Sequence, residues 1–214
     1  MKVEPIRDKD DVERIEKLLA SINTDHGDRL LLLFECGIYL GMRIGDMLRL
    51  RVGDLRGVEM LEYTPQKTRN RGRGGKGKRL RIYVDSHLRT AVGSLCADLP
   101  DSALLFESTQ RKGRAISRQT ALNYMKEIKT LAGLSYNIGC HTLRKTFGYT
   151  MYQQYHDVAF LQEWFGHSSP AITLIYIGIA DDEKRKAFSK PLYNPNGIDW
   201  KEIRENRANR KSAH

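Results

Sequence analysis

The sequence predicts a mainly α-helical protein with one small antiparallel β-sheet, an α+β fold, and two patterns support this class. Apolar residues recur at helical spacing through most of the 214-residue chain. Two short stretches flank a glycine-rich basic loop, as the strands of a β-hairpin do. With 40% hydrophobic and 29% charged residues, the composition is that of an ordinary globular protein with one substantial core.

Three helices are predicted before the hairpin. The first is amphipathic with acidic residues in its first turn, and its pattern comprises Asp8, Asp10, Asp11, Val12, Ile15, Leu18 and Leu19. The second, about 27–40, is apolar nearly all round and should lie at the centre of the core until Gly41 ends it. A short third helix is predicted from Ile44 through Leu50, ending by Gly53.

The predicted strands cover 58–65 and 79–85, and a helix is predicted over 87–99. Ser117 is a suitable N-cap for the next helix, which extends to about Leu131. Helical spacing then continues over 141–155 and 157–165.

The end of the last long helix shows strong turn signals. Gly166 fits a helix stop, Ser169 an N-cap and Pro170 a first helical position, so a new short helix should carry Thr173 and Tyr176. The sequence "NPNG" after position 193 breaks the chain, and no internal repeats are present. We therefore predict one domain over 1–193, followed by a charged tail over 194–214.

Composition excludes several classes of protein. No stretch approaches the ~20 apolar residues of a membrane span, and the N-terminus lacks the apolar stretch of a secretory signal. Three widely spaced cysteines, Cys36, Cys96 and Cys140, suit buried thiols in a reducing cytoplasm better than a disulfide framework or a zinc site. These observations predict a cytoplasmic protein without a membrane partner.

Most of the formal charge of +10 lies in one block between residues 66 and 81. The block has eight cations and no acid: Lys67, Arg69, Arg71, Arg73, Lys76, Lys78, Arg79 and Arg81. Such a block is typical of a protein that binds a polyphosphate, although a solvated loop would look the same.

Four separate blocks resemble, in order, the motifs of the tyrosine recombinases, also called phage integrases. They are "GMRIGDMLRLRVGDL" at 41–55, "QKTRNRGRGGKGKRLRIYV" at 66–84, "HTLRKT" at 141–146 and "FGHSSPAITLIYI" at 165–177. The resemblance covers roughly 8–190. It implies the fold of that family's catalytic domain and the catalytic residues Arg43, Lys67, His141, Arg144, His167 and Tyr176, with Asp46 as support for the first arginine.

The residue types suit phosphodiester cleavage. A tyrosine that attacks phosphorus stays bonded to it and conserves the bond energy, but its phenol, with a pKa near ~10, must lose a proton. Arg43 and Arg144 would hold the charged transition state, because guanidiniums are planar and always charged. His141, one helical turn before Arg144, could bind the phosphate or take the phenolic proton. His167 would donate to the phosphate, and a lysine would protonate the departing 5′-oxygen.

Several alternatives stay open on sequence alone. Lys67 is the expected acid, but Lys76 and Lys78 lie in the same loop. Tyr176, taken singly, could be a core aromatic. The predicted DNA-backbone contacts are Arg69, Arg71, Arg73, Lys76, Lys78, Arg118 and Lys145. A topoisomerase-like enzyme and a catalytically silent DNA-binding protein are the alternative functions.

The resemblance implies double-stranded DNA as partner, a tetramer on synapsed DNA and, as further partners, accessory DNA-bending proteins. The chemistry calls for no cofactor, and no metal-ligand spacing occurs in the sequence. The family's N-terminal core-binding domain is expected to be absent from this chain, because the first block starts at Gly41. The DNA target site and the direction of recombination stay undetermined, because phosphate contacts carry no base sequence.

Overall fold

The computed structural model confirms the predicted class, with helices packed around one hairpin. It describes residues 3–68, 79–187, 189, 201 and 204–205. Within that part the helices are α1 Lys9–Ala20, α2 Asp25–Leu40, α3 Ile44–Met47, α4 Ser86–Leu95, α5 Arg118–Leu131, α6 Cys140–Tyr155, α7 Val158–Phe165, α8 Pro170–Ile177 and α9 Ile179–Ala187. The strands are β1 Met60–Tyr63 and β2 Leu80–Tyr83, and short 3-10 turns cover Val52–Asp54 and Gln66–Thr68.

The chain divides into two compact units, residues 1–179 and 180–214. The first unit contains the hydrophobic core and every candidate catalytic residue. The second unit includes most of α9, which has acidic residues in its first turn and basic residues in its last. The predicted domain boundary near 193 lies outside the described residues.

The centre of the core is α2, as its apolar pattern predicts. Leu33 and Phe34 of this helix have no exposed surface. Helix α6 packs against α2 at Gly37, where a Cβ atom would lie 2.3 Å from the side chain of Leu143. Gly41 ends α2 with a φ of 57°, a left-handed conformation that favours glycine. This close packing matters for function because α6 carries two of the predicted catalytic residues, His141 and Arg144.

The hairpin pairs β1 with β2 in antiparallel register, with Met60 opposite Tyr83 and Tyr63 opposite Leu80. Leu61 and Ile82 face the core from opposite strands. Both strands are shorter than the predicted 58–65 and 79–85. The basic loop at 69–78 lies outside the described residues.

Two predicted helices are too long. The third helix ends at Met47 rather than near Gly53, because the backbone of Leu50 and Val52 pairs instead with the segment 103–105. Helix α4 spans Ser86–Leu95 rather than 87–99, and the Leu99 carbonyl accepts a hydrogen bond from Arg56 at 2.9 Å. In both places a tertiary hydrogen bond replaces a helical one.

The turn between α7 and α8 follows its sequence signals. Gly166 ends α7 with a φ of 61°, Ser169 accepts a hydrogen bond from the Ile172 backbone, and Pro170 is the first residue of α8. Gly148 on α6 allows close packing here, since a Cβ would lie 2.6 Å from Ile177 and 2.7 Å from Phe165. Among the described residues, no helix is long and apolar enough to cross a membrane.

Candidate active site

Five of the six predicted catalytic residues meet in the first unit, although they come from separate segments. Arg43 precedes α3, His141 and Arg144 lie near the start of α6, His167 follows α7, and Tyr176 lies in α8. The Tyr176 hydroxyl is 3.2 Å from Nδ1 of His141. The Tyr176 ring centre is 5.3 Å from the ring centre of His167 and 6.0 Å from the guanidinium carbon of Arg144. The structure therefore places a phenol, two imidazoles and two guanidiniums within one small site.

One backbone carbonyl joins the two arginines. The Phe165 oxygen accepts a hydrogen bond from Nη2 of Arg144 at 3.0 Å and another from Nη2 of Arg43 at 3.3 Å. The Gly41 oxygen accepts from Nη1 of Arg144 at 2.6 Å. Both carbonyls lie at the C-terminal ends of helices, where the helix dipole is negative. This partial negative charge offsets the repulsion between the two cations.

Arg144 is a buried cation. It is only 2% exposed, and its guanidinium carbon lies 4.1 Å from the centre of the Phe165 ring. Burial lowers the pKa of Arg144 to about 10, so the side chain remains charged at neutral pH. The two carbonyl contacts occupy two of the five N–H groups of a guanidinium. Its other N–H groups lie near the phenols of Tyr63 and Tyr176, both of which hydrogen-bond this guanidinium.

The Tyr176 side chain packs against the core with its ring, yet its hydroxyl has polar neighbours. Burial raises the pKa of this phenol, whereas Arg144 and Arg43 lower it. Burial and the nearby Arg144 lower the pKa of His141, so its imidazole is neutral at pH 7. A neutral Nδ1 at 3.2 Å can accept a proton from the phenol. A tyrosine serving only as a core aromatic would need none of these partners.

His167 is also neutral. Burial and the cations Arg144, Arg43 and Lys67 lower the pKa of this histidine to about 4. Its ring lies 5.3 Å from the Phe165 ring, and its Nδ1 lies 3.0 Å from Oγ1 of Thr173. A neutral imidazole has one N–H group, so the hydrogen bond at Nδ1 decides what the other nitrogen can do.

The sequence pattern of the phage integrase family matches residues 8–183 of this chain. The chain belongs to the phage integrase family. It is similar to the "Probable integrase/recombinase YoeC" of Bacillus subtilis (strain 168), at 36% identity over 186 residues that cover 87% of this chain and 95% of YoeC. It is 29% identical over 182 residues to the tyrosine recombinase XerA of Pyrococcus furiosus, covering 83% of this chain and 59% of XerA.

Solved structures show the same fold. The crystal structure of XerA recombinase has a TM-score of 0.66 at 22% identity, covering 90% of this chain and 65% of that chain. XerH recombinase bound to a palindromic difH substrate in a post-cleavage complex has a TM-score of 0.63 at 23% identity. The match covers 88% of this chain and 53% of the XerH chain. A lambda integrase tetramer bound to a Holliday junction has a TM-score of 0.59 at 19% identity. The match covers 94% of this chain and 51% of the lambda integrase chain. The predicted family and its catalytic-domain fold are thus confirmed.

The support of Arg43 by Asp46 stays a prediction. Arg43 is the N-cap of α3, with extended backbone angles, φ −68° and ψ 138°. The Arg43 guanidinium donates to the Phe165 carbonyl, and Oδ1 of the buried Asp46 accepts from the Gln66 backbone at 3.0 Å. Asp46 therefore anchors the turn that carries the exposed Lys67.

Lys145, a predicted DNA-backbone contact, is largely buried in the structure. It is 8% exposed, and its Nζ lies 5.5 Å from the centre of the Tyr176 ring. Lys145 is buried because α6 packs against both α2 and α8. A third cation, besides the guanidiniums of Arg43 and Arg144, thus lies beside Tyr176.

The sequence analysis did not predict that Tyr63 lies at the site. Burial raises the pKa of this phenol and a hydrogen bond to Arg144 lowers it, so its hydroxyl faces the same guanidinium as Tyr176 does. The signal in the sequence was its position two residues after Leu61, on the strand face that points to the core.

Of the other predicted DNA contacts, the structure describes only Arg118. Arg118 is exposed at the start of α5, with its guanidinium close to Gly45. Four arginines line a cavity of about 490 Å³ here, which we call the basic cleft: Arg49, Arg51, Arg114 and Arg118. The remaining predicted contacts lie outside the described residues, namely Arg69, Arg71, Arg73, Lys76 and Lys78. In the part of the chain that is described, no group of three or more acidic, histidine or cysteine side chains could hold a metal ion.

Proposed function

We propose that this protein is a site-specific DNA recombinase that cleaves and rejoins strands through a covalent bond between Tyr176 and a 3′-phosphate. The single observation that carries the proposal is the contact at 3.2 Å between the Tyr176 hydroxyl and a neutral His141, beside two guanidiniums that share one carbonyl. Membership of the phage integrase family and similarity to an integrase/recombinase over nearly its whole length support it.

Cleavage begins when the Tyr176 oxygen attacks phosphorus and its proton moves to Nδ1 of His141. The bond between phosphorus and the 5′-oxygen breaks, and the departing oxygen takes a proton from Lys67. The products are a 3′-phosphotyrosyl bond and a free 5′-hydroxyl. Attack by the 5′-hydroxyl of another strand reverses each step, so no external energy source is needed.

The two arginines stabilise the charge that develops on the non-bridging oxygens. Each keeps N–H groups that the Phe165 and Gly41 carbonyls do not use. Because the carbonyls hold the guanidiniums in place before the substrate arrives, little reorganisation is needed during the reaction. Loss of one such preorganised donor typically lowers kcat about 10²- to 10³-fold.

Double-stranded DNA is the proposed partner. The basic cleft supports this proposal, since several arginines around one cavity suit a phosphate backbone. The lambda integrase tetramer on a Holliday junction supports a tetramer on synapsed DNA for this chain too. Accessory DNA-bending proteins and a cytoplasmic location stay predictions.

A nicked suicide substrate tests the proposal. Cleavage beside the nick releases a short fragment, so the covalent adduct accumulates and moves slowly on a denaturing gel. A panel of nicked duplexes drawn from sequences that flank the coding region supplies candidate sites. We expect an adduct with the wild type and with Tyr155→Phe, whose side chain is exposed, and none with Tyr176→Phe.

The alternative functions give different results on the same panel. A topoisomerase-like enzyme would relax supercoiled plasmid without joining strands between paired sites. A catalytically silent DNA-binding protein would bind DNA with an affinity that falls steeply as salt rises, and would form no adduct on any substrate.

A further inference from the structure

Thr173 is a buried polar residue that touches the site but has no role in the scheme above. It lies on α8 three residues before Tyr176 and has no exposed surface. Its Oγ1 lies 3.0 Å from Nδ1 of His167 and 3.4 Å from the Ser169 carbonyl oxygen. A buried hydroxyl needs partners, and one of these two partners is a predicted catalytic side chain.

The hydroxyl has one hydrogen to donate. The Ser169 oxygen is a poor recipient, because the contact is at the long limit for O–H···O and the same oxygen already faces the Thr173 backbone N–H at 3.4 Å. The Nδ1 contact is 0.4 Å shorter, and the hydrogen is therefore best placed there. In that arrangement Nδ1 of His167 accepts, and the N–H of the neutral ring is on Nε2.

The protonation state of His167 makes this choice important. The ring is neutral at pH 7, because burial and the surrounding cations Arg144, Arg43 and Lys67 lower its pKa. If the hydrogen were on Nδ1, Nε2 would present a lone pair to an incoming phosphate and repel it. With the hydrogen on Nε2, a neutral imidazole can donate to the phosphate without first gaining a proton.

We propose that Thr173 is a positioning residue that donates its hydroxyl hydrogen to Nδ1 of His167 and so holds that histidine in the Nε2–H tautomer. The use of this tautomer, donation to the scissile phosphate, rests on the proposed function. The tautomer itself does not, because it belongs to the DNA-free protein. The two parts can therefore be tested separately.

Nitrogen-15 NMR of the histidine-labelled, DNA-free protein tests the tautomer. The chemical shifts of Nδ1 and Nε2 differ between the two neutral forms, and His167→Gln identifies the signal. We expect an unprotonated Nδ1 and a protonated Nε2 in the wild type and in Thr173→Ser, and a mixture of tautomers in Thr173→Val. A protonated Nδ1 in the wild type, or an unchanged tautomer in Thr173→Val, would overturn the proposal. Thr173→Ala serves the same purpose should the valine variant not fold.

Adduct formation on the suicide substrate tests the consequence. We expect Thr173→Val to slow it about 10- to 100-fold, less than the loss of a whole donor, and Thr173→Ser to keep it within about threefold of the wild type. Because Thr173 acts through His167, the valine change should have no further effect in a His167→Gln background.

Equal losses in both backgrounds would show a merely structural role and would contradict the proposal. A wild type that forms no adduct on any duplex would refute the proposed function, while the NMR result would still decide the tautomer.

Discussion

Replacement of Arg144 by methionine should abolish most activity while leaving the fold nearly as stable as before. The usual expectation for a residue with 2% exposure is a large loss of stability. Two opposing contributions of similar size make Arg144 different. One comes from the hydrogen bonds of its guanidinium, the other from the burial of its charge.

The hydrogen bonds favour the arginine. Methionine would leave the Gly41 carbonyl without its partner at 2.6 Å, whereas the Phe165 carbonyl would keep Arg43. An unsatisfied buried group costs about 1–3 kcal/mol. Burial acts in the opposite direction, since it lowers the pKa of Arg144 to about 10 from an ordinary value of ~12.5, which corresponds to about 3 kcal/mol of penalty on the cation. The net change in the free energy of unfolding should lie within about 2 kcal/mol of zero.

Urea denaturation followed by circular dichroism measures the stability, and the suicide substrate measures the activity. We expect Arg144→Met to unfold near the wild-type midpoint and to form the adduct at least about 10²-fold more slowly. Arg111→Met, a change at an exposed arginine, is the matched control for stability. A loss of more than about 4 kcal/mol in Arg144→Met alone would refute the reasoning, because the burial of the charge would then have no appreciable cost.

Three further substitutions test a buried carboxyl in the core, the buried lysine beside Tyr176 and the turn that carries Lys67. Burial raises the pKa of the Glu35 carboxyl to about 7. The folded protein therefore binds the carboxyl proton more tightly than the unfolded chain does. Stability is lost as the pH rises from the pKa of the unfolded chain through about 7. Glu35→Gln should therefore stabilise the protein by about 1–3 kcal/mol at pH 8 and flatten this slope, whereas the exposed Glu13→Gln should do neither in urea titrations at several pH values. Lys145→Met should slow adduct formation about tenfold at pH 7 by removing a cation beside the nucleophilic phenol, and Lys145→Arg should restore it in the same gel assay. Asp46→Ala should slow adduct formation about tenfold on an ordinary substrate, because it releases the turn that carries Lys67. It should not slow the reaction of a 5′-bridging phosphorothiolate, whose leaving group needs no acid. Equal slowing on both substrates would contradict this prediction.

The sequence motifs predict the local structure around the candidate site well because each motif is local. Gly166, Ser169 and Pro170 determine the α7–α8 turn through their own backbone preferences, and this turn places His167 and Tyr176 as expected. The apolar pattern of 27–40 likewise predicts the central helix, since a helix that is apolar all round has to be buried.

Long-range contacts could not be predicted in this way. The carbonyl that joins Arg43 to Arg144 belongs to Phe165, which is 122 residues from the first arginine and 21 from the second. Asp46 accepts a hydrogen bond from a backbone group 20 residues away. Lys145 is buried by neighbouring helices that its own sequence does not specify. In each case the deciding partner is a backbone group or a helix face, neither of which has a sequence motif.

Mass spectrometry of the trapped adduct identifies the side chain that attacks phosphorus. After nuclease and protease digestion of the complex with a suicide substrate, the peptide that retains a 3′-phosphonucleotide can be sequenced by fragmentation. We expect the modified residue to be Tyr176. A nucleotide attached to Tyr63, the other phenol facing Arg144, or to any other side chain would contradict it.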